Sequence, residues 1–186
     1  MKKEDYSFKE AVIEDLRVQG VPLPANVGAW RFLRHVIPAF IFIPSFACVV
    51  CYRINRKVYR WSKVLGRLLH AYRFYTFAND ISYLADIGPG CHLCHTVGIV
   101  IGKGVTIGKN ATIYQNVTLG AKNFKKLDEK PTIGDGITIG VGACILGNVT
   151  IGSNVWIGAL TVCDQSVPDN SLVYGRPLIV RPRNNL

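Results

Sequence analysis

A six-residue repeat runs through the second half of the chain. An aliphatic residue recurs every sixth position at Ile101, Ile107 and Ile113 and again, after an interruption, from Ile133 to Ile157. An α-helix has a period of 3.6 residues and a strand a period of two, so neither explains the pattern. Three six-residue segments make one eighteen-residue coil of a triangular solenoid, in which aliphatic side chains fill the interior and each coil covers the last. The repeat therefore predicts a mainly β protein wound as a parallel β-helix.

The repeat divides the chain into three parts. Residues 1–79 contain no repeat and are predicted to form a basic α-helical segment, residues 80–168 the β-helix, and residues 169–186 a C-terminal tail. The polar segment 120–131 (GAKNFKKLDEKP) interrupts the repeat and is predicted to be an extruded loop. Such a loop either serves a functional site or is a tolerated surface insertion.

Positive charge is concentrated in the N-terminal segment. The net charge is +10; residues 1–79 carry 13 Lys and Arg against 5 Asp and Glu, whereas residues 80–186 carry 9 against 7. An excess of this kind indicates an anionic partner. No nucleic-acid recognition module accompanies the charge, so we do not expect nucleic acid to be that partner.

An apolar run at residues 36–52 leaves two interpretations open. It is shorter than the ~20 residues of a membrane-spanning helix, and it contains Pro38 and Pro44. It forms either two buried helices or a helix at a membrane surface. Residues 31–79 carry nine Lys and Arg, no acidic residue and interspersed aromatics, which suits an anionic membrane surface. With no secretory signal evident, we expect a cytoplasmic protein, peripheral on the inner face of the membrane in the second interpretation.

The six cysteines do not indicate a disulfide framework, and free thiols in a reducing compartment are expected. Residues 91–95 (CHLCH) match the C-x-x-C-H haem-attachment pattern, but the repeat leaves no room for a haem against the face of the solenoid. Zinc would need a second pair of ligands at a suitable spacing, which the chain lacks. No metal is therefore expected.

His95 is the histidine predicted to do chemistry. Counting back six residues from Ile101 places it in a slot that other repeats fill with an aliphatic side chain, where an imidazole must be hydrogen-bonded to offset its desolvation. Asp80 precedes it by nearly one coil, so the two side chains are expected to be neighbours. A carboxylate behind an imidazole gives a general base. By contrast, His35 and His70 are expected to be surface or helix-packing residues.

Four strings carry a resemblance to a known family: HTVGIVIG, IYQNVTLGA, ILGNVTIGSNVWIGA and SVPDNSLVYGRP. From about Asp80 to Pro177 the chain resembles the hexapeptide-repeat acyltransferases, in particular the serine O-acetyltransferase branch. The resemblance implies a left-handed parallel β-helix, homotrimers with active sites between adjacent subunits, and acetyl-CoA as co-substrate. It also implies that His95 and Asp80 are the catalytic pair.

The resemblance further implies which residues bind acetyl-CoA. The small residues that line the cofactor site match three positions, and the glycines beside them are included in the predicted site. The CoA phosphates require cations, for which Lys122 and Arg176, with Arg181 and Arg183 in the C-terminal tail, are candidates. The predicted acetyl-CoA site comprises Gly120, Ala121, Lys122, Val141, Gly142, Ala159 and Arg176.

The acceptor side departs from the family pattern. Cys94 stands where the family has an Asp before its catalytic His. Glu129 and Lys130, just before Pro131, stand where serine enzymes have an Arg-His pair, and a Glu there would repel the carboxylate of an amino acid. The short helical part, with Glu14-Asp15-Leu16-Arg17, looks more like that of exopolysaccharide and capsule O-acetyltransferases. The expected acceptor, bound by Cys94, Glu129 and Lys130, is therefore a hydroxyl of a sugar or polysaccharide precursor.

Two other functions stay open. One is L-serine O-acetyltransferase of cysteine biosynthesis, against which Glu129 and the ending Arg-Asn-Asn-Leu are weighed. The other is a non-acyl β-helix, either a zinc-dependent carbonic-anhydrase-like enzyme or a structural array, although only His92 and His95 lie in the repeat. In either transferase, His95 would remove the proton of an acceptor hydroxyl as it attacks the thioester.

Overall fold

Four helices precede the repeat in the computed structural model, which describes residues 6–123, 125 and 127–175. The first helix begins at a capping box, in which Ser7 Oγ accepts from the Glu10 amide and the Glu10 carboxylate accepts from the Ser7 amide. The helices are α1 (Phe8–Arg17), α2 (Ala29–Phe42), α3 (Pro44–Trp61) and α4 (Lys63–Phe77).

Short parallel strands in three sheets make up the rest of the described chain. Sheet A holds β1, β4, β7, β10 and β13, sheet B holds β2, β5, β8 and β11, and sheet C holds β3, β6, β9, β12 and β14. From β1 to β13 successive strands fall in successive sheets, so the predicted parallel β-helix with an N-terminal helical segment is confirmed. The strands are β1 (Asp80–Ile81), β2 (Asp86–Ile87), β3 (His92–Leu93), β4 (Val100–Ile101), β5 (Thr106–Ile107), β6 (Thr112–Ile113), β7 (Thr118–Gly120), β8 (Thr132–Ile133), β9 (Thr138–Ile139), β10 (Cys144–Leu146), β11 (Thr150–Ile151), β12 (Trp156–Ile157), β13 (Val162–Cys163) and β14 (Leu172–Val173).

The aliphatic residues of the repeat fill the interior of the β-helix. In sheet C, Ile113, Ile139 and Ile157 lie side by side on adjacent strands, and none of the three is exposed. Burying a side chain of this size contributes ~1.5–3 kcal/mol. Asparagines supply the left-handed backbone at several corners, including Asn116 and Asn154. Each coil therefore completes the core of the one before it.

Coil length departs from eighteen residues at three places, the last of them the final coil, where Trp156 pairs with Leu172, sixteen residues later. Val100 pairs with Thr118, eighteen residues later, as the repeat predicts. Asp80 pairs with Val100, twenty residues later, so the first coil has two extra residues, which lie between β3 and β4. Thr118 pairs with Cys144, twenty-six residues later, because the loop at 120–131 adds eight residues.

A buried ion pair joins the helices to the first coil. Arg53 of α3 donates to both carboxylate oxygens of Asp15 of α1, at 2.5 and 2.8 Å. The same carboxylate accepts the backbone N–H groups of Gly90 and Cys91 at 3.0 and 3.1 Å, and Arg53 donates to the Gly88 carbonyl at 2.9 Å. The two helices are thus fixed to the turn that leads into β3.

The apolar run divides into a buried and an exposed part. Helix α3 buries seven residues, among them Phe46 and Val50, whereas α2 buries only Ala39. No single described helix is long and apolar enough to cross a bilayer. The pair α2 and α3 meets that length and composition only when taken together, and the two are bent by 113° at the break between them.

Candidate functional site

His95 lies in the turn that joins β3 to β4, at the border between sheets C and A, here called the C–A edge. This turn holds the two extra residues of the first coil, and the His95 side chain is exposed. The inward slot that the repeat predicted for His95 is therefore wrong, because that prediction assumed an eighteen-residue coil. Leu93 and Ile99 fill the interior on either side of the turn.

Neighbouring backbone holds the turn that carries His95. The Asn116 amide donates to the Val97 carbonyl at 3.1 Å, and the Gly98 amide donates to the Ala78 carbonyl, just beyond α4, at 2.8 Å. Gly98 has a φ of 71°, and a Cβ there would collide with Asn116 Oδ1. The turn therefore requires glycine at this position.

Cys94 lies directly before His95 and is half-buried. Its amide donates to the Ile113 carbonyl at 2.9 Å. Burial raises the pKa of the Cys94 thiol, although a hydrogen bond with the Tyr114 side chain opposes that effect. The group beside His95 is thus a neutral thiol at pH 7, where the family pattern has an anion.

Asp80, at the start of β1, is hydrogen-bonded to His70 of α4. The distance from His70 Nε2 to Asp80 Oδ1 is 3.3 Å, and Arg73 Nη2 lies 3.2 Å from His70 Nδ1. A guanidinium can only donate, so Nδ1 accepts, and the proton of the neutral imidazole lies on Nε2 and is donated to Asp80. Among the described residues, no hydrogen bond joins the Asp80 and His95 side chains.

His70 is a residue that sequence reasoning passed over. Burial and the Arg73 guanidinium lower its pKa, against the raising effect of Asp80. The edge of its ring also faces Tyr83, with the ring centroids 5.4 Å apart. No sequence signal reveals these contacts, because they depend on how α4 lies against β1 and not on spacing along the chain.

The C–A edge continues from His95 through three further turns. The Gly142 amide donates to the Gln115 carbonyl at 3.0 Å, and the Leu160 amide donates to the Val141 carbonyl at 2.8 Å, so the turns are stacked. Three predicted acetyl-CoA residues therefore lie in one column with His95. They are Val141, Gly142 and Ala159.

Gln115 adds a polar atom to this edge that sequence reasoning missed. Its side-chain oxygen is buried and has no hydrogen-bond partner among the described residues. A buried acceptor without a donor costs ~1–3 kcal/mol, so a ligand N–H group at this edge would remove a penalty. Nothing in the hexad pattern distinguishes this turn residue from an outward-facing one.

The remaining predicted residues of the described chain lie at another border, between sheets A and B, here called the A–B edge. Lys122 forms an ion pair with Asp164, with Nζ 2.7 Å from Oδ2. Lys130 lies over the turn at Gly102–Gly104, where a methyl group on Gly104 would be 3.5 Å from its Cγ. The A–B edge carries Gly120, Ala121, Lys122, Glu129 and Lys130.

The predicted site residues therefore divide between two edges. Sheet A separates the C–A edge from the A–B edge, so one chain does not bring His95 together with Glu129 and Lys130. Arg176 and the two candidate arginines of the C-terminal tail lie outside the described residues. Within those residues, no group of three His, Cys, Asp or Glu side chains could hold a metal ion.

A cleft of about 710 Å³ lies elsewhere, between the helices and sheet B. Its lining includes Arg56 and Lys57 of α3 and Lys109 at the far end of β5. None of the predicted site residues lines it. The cleft is thus separate from both edges.

No family model matches the chain. The serine acetyltransferase of Buchnera aphidicola is 40% identical over 178 residues, which are 93% of this chain and 61% of that protein. The Neisseria gonorrhoeae serine acetyltransferase structure is 32% identical with a TM-score of 0.78, covering 98% of this chain and 70% of that one. The soybean serine acetyltransferase complexed with serine is 34% identical with a TM-score of 0.78, covering 93% and 69%. The left-handed β-helix fold class is thereby confirmed.

These likenesses correct two expectations. The sugar or polysaccharide acceptor is wrong, because relatives that match over most of the chain are serine acetyltransferases. The closer likeness to exopolysaccharide O-acetyltransferases is likewise unsupported. It rested on the short helical part, and the superposition on the Neisseria gonorrhoeae enzyme covers 98% of the chain, helices included. The chain spans about three fifths of the length of its curated relative from Buchnera aphidicola.

Proposed function

Because the chain belongs to the serine acetyltransferase family, we propose that it transfers the acetyl group of acetyl-CoA to the hydroxyl of L-serine. The observation that carries the proposal is the likeness to solved serine acetyltransferases, two of them in complex with serine, across helices and β-helix together. An exposed histidine at a stacked edge of small residues supports it, since acetyl transfer needs a base beside an elongated thioester.

In the proposed reaction, His95 removes the proton of the serine hydroxyl as that oxygen attacks the thioester carbonyl. The carbon–sulfur bond then breaks, and His95 returns the proton to the departing thiolate, giving O-acetyl-L-serine and CoA. General-base help of this kind contributes ~10²–10⁴-fold to the rate. No residue is left chemically changed, so the enzyme returns to its starting state.

Asp80 is proposed to orient His95 while α4 holds Asp80. His70 donates to Oδ1 of Asp80, which leaves Oδ2 to accept an imidazole N–H of His95. The turn of His95 is itself tied to the end of α4 through the Gly98 amide. Helix α4 thus contacts Asp80, and the residue that follows it, Ala78, contacts the turn that carries His95.

We propose that the complete site forms between two copies of the chain. The C–A edge supplies the base and the A–B edge supplies the loop, and sheet A keeps the two edges of one chain apart. A homotrimer with closed threefold symmetry would bring the C–A edge of each protomer against the A–B edge of the next. Each of its three sites would then contain His95 from one protomer and Lys130 from its neighbour.

Glu129 and Lys130 suit an amino acid when both of its charges are counted. At neutral pH, L-serine carries an α-ammonium group as well as a carboxylate. Lys130 would bind the carboxylate as a point charge, and Glu129 would attract the ammonium group. The repulsion that the sequence suggested considers only the carboxylate.

Acetyl-CoA is proposed to lie along the C–A edge. The pantetheine arm contains amide N–H groups, and the unpartnered Gln115 oxygen would accept one of them. The small residues Val141, Gly142 and Ala159 leave the edge open for the arm. At the A–B edge Lys122 is paired with Asp164, so it would reach the CoA phosphates only by exchanging that partner.

The direct test is acetyl transfer to defined acceptors. We expect L-serine to stimulate CoA release from acetyl-CoA, measured as free thiol, and mass spectrometry to identify O-acetyl-L-serine. L-threonine, glycerol and a panel of sugars serve as comparison acceptors. Release that is stimulated by a sugar and not by L-serine would overturn the proposal, and so would the absence of any serine-dependent product.

A further inference from the structure

The outer face of α2 is apolar and uncovered. Of its fourteen residues only Ala39 is buried, while Phe32, Val36 and the following Ile43 pack against the core of the helical segment. Large apolar side chains recur at helical spacing on the side away from that core; Trp30 is 81% exposed and Ile41 is 64% exposed. This apolar stripe consists of Trp30, Leu33, Ile37, Phe40 and Ile41.

Cations flank the stripe without any acidic partner. Arg31 and Arg34 are exposed and each follows a stripe residue by one position, so they lie along one flank of it. Three of the nine cations in residues 31–79 point inward to Asp15, Asp86 and the Ile81 carbonyl. The remaining six are exposed, namely Arg31, Arg34, Lys57, Arg60, Lys63 and Arg67.

We propose that α2 is an interfacial membrane helix that binds an anionic lipid bilayer, independently of the acetyl transfer proposed above. An apolar stripe enters the boundary between headgroups and acyl chains, and flanking cations bind anionic headgroups. At 14 residues, the helix is about 21 Å long, too short for the ~30 Å hydrocarbon core. The 113° bend into α3 suits a helix that lies on the membrane with the β-helix outside it.

Charge argues against other occupants of this face. A second copy of the chain packed on this face would bring Arg31 and Arg34 against the same two cations, with no acidic residue between 31 and 79 to compensate them. Nucleic acid would satisfy the cations but would leave Leu33, Ile37 and Ile41 exposed to its phosphates and water. An anionic bilayer satisfies both the charge and the apolar stripe.

Vesicle sedimentation tests the proposal. We expect the full chain to bind phosphatidylcholine vesicles that contain about one third phosphatidylglycerol, and to bind pure phosphatidylcholine vesicles at least about tenfold more weakly. The double variant Trp30→Ser/Ile37→Ser should lose about tenfold in affinity for the anionic vesicles. Its thermal midpoint should stay unchanged, because both side chains are exposed. Binding should weaken as salt rises from about 0.05 to about 0.5 M.

A matched control removes the same kinds of side chain from the β-helix. Trp156 and Leu172 are exposed neighbours on sheet C, and Trp156→Ser/Leu172→Ser should bind vesicles like the native chain. Equal binding by the native chain and the α2 variant would overturn the proposal. So would a smaller assembly for the α2 variant in light scattering, which would assign the stripe to a second copy. Binding to duplex DNA that exceeds vesicle binding and survives Trp30→Ser/Ile37→Ser would assign the face to nucleic acid instead.

Discussion

The β-helix and the helical segment differ in how completely they bury their apolar residues. In the β-helix each inward position is covered by the next coil, so Ile113, Ile139 and Ile157 have no exposed surface. In the helical segment, α3 is covered but α2 leaves Trp30, Ile37 and other large side chains in solvent. A repeat completes its own core, whereas a few helices complete theirs only in part and leave surface for a partner.

The same contrast shows where function lies within the repeat. Both edges of the proposed active site begin where a coil departs from eighteen residues. The two extra residues before Val100 expose His95, and the eight extra residues after Thr118 form the loop of Glu129 and Lys130. In a regular coil the inward side chains fill the core and the corner residues form tight turns. The proposed catalytic and acceptor-binding residues therefore lie where the repeat is interrupted.

The largest effect is expected at the irregular turn of the β-helix. His95→Ala should lower kcat by ~10²–10⁴-fold, because it removes the general base. Binding of acetyl-CoA, measured by calorimetry, should stay near native. His35→Ala removes a half-buried imidazole from α2, remote from both edges, and should leave kcat unchanged. Turnover by His95→Ala within about threefold of the native value would contradict the assignment of the base.

The next largest effect is expected at the buried ion pair that joins the helical segment to the β-helix. Arg53→Ala leaves the Asp15 carboxylate buried without its cation, which costs ~3–5 kcal/mol of unfolding free energy. Hydrogen exchange should show this loss in α1, α3 and the turn at Gly90, and much less in β9 to β14. Uniform loss of protection throughout the chain would mean that the two regions unfold as a single cooperative unit.

Replacing the glycine at position 98 should lower stability more than replacing a glycine in the helical segment. Gly98→Ala places a Cβ in a left-handed turn and against Asn116 Oδ1, at a cost of roughly 1–2 kcal/mol from the backbone alone. Activity should fall with stability, because the same turn carries His95. Gly28→Ala, at a φ of −65° with nothing near an added methyl group, is the matched control. Equal midpoints of thermal unfolding for the two variants would refute this difference.

A smaller effect is expected from the contact between α4 and β1. His70→Ala should lower kcat by about tenfold with little change in the KM for acetyl-CoA, because His70 positions Asp80 and does not touch the substrate. His70→Gln should recover most of the loss, since its amide can donate to Asp80 from the place of Nε2. Failure of the glutamine variant to recover activity would assign His70 a packing role only.

The lowered pKa of His70 gives this contact a pH signature. Below the ordinary value of 6.5, the unfolded chain binds a proton that the folded chain resists, so stability falls as the pH drops through that value toward the folded pKa. His70→Gln should flatten that fall, measured as the urea midpoint at pH 7.5 and at pH 5.5, on either side of 6.5. An equal fall in both proteins would place the acid sensitivity elsewhere.

The sequence predicts the β-helix well because its core residues recur at a short, fixed spacing along the chain. From Ile101 to Cys163, every sixth residue that the repeat assigns to the interior is buried. The predicted inward position of His95 is wrong because the two extra residues of its turn do not change the spacing within the repeats that follow. Counting six residues forward from Leu93 places Ile99 in the interior, whereas counting six back from Ile101 places His95 there. Only the pairing of the strands decides between the two.

For the candidate site, the phase of the repeat predicts only which residues share an edge, whereas their roles rest on the resemblance to the family. Val141, Gly142 and Ala159 follow the repeat and lie in one column, as equal spacing requires. The contact between His70 and Asp80 was not predictable, because it depends on how α4 lies against β1. The acceptor prediction failed for a different reason: it gave one residue, Glu129, more weight than the likeness of the whole chain.

Mixed assemblies of two inactive variants test most directly whether the two edges form one site between protomers. His95→Ala is impaired at the C–A edge and Glu129→Lys/Lys130→Glu at the A–B edge, and each should acetylate L-serine poorly alone. Coexpressed in equal amounts as random trimers, they should recover about one quarter of the native rate, because about one site in four then has both edges intact. A rate no higher than the mean of the two variants alone would contradict a site shared between protomers.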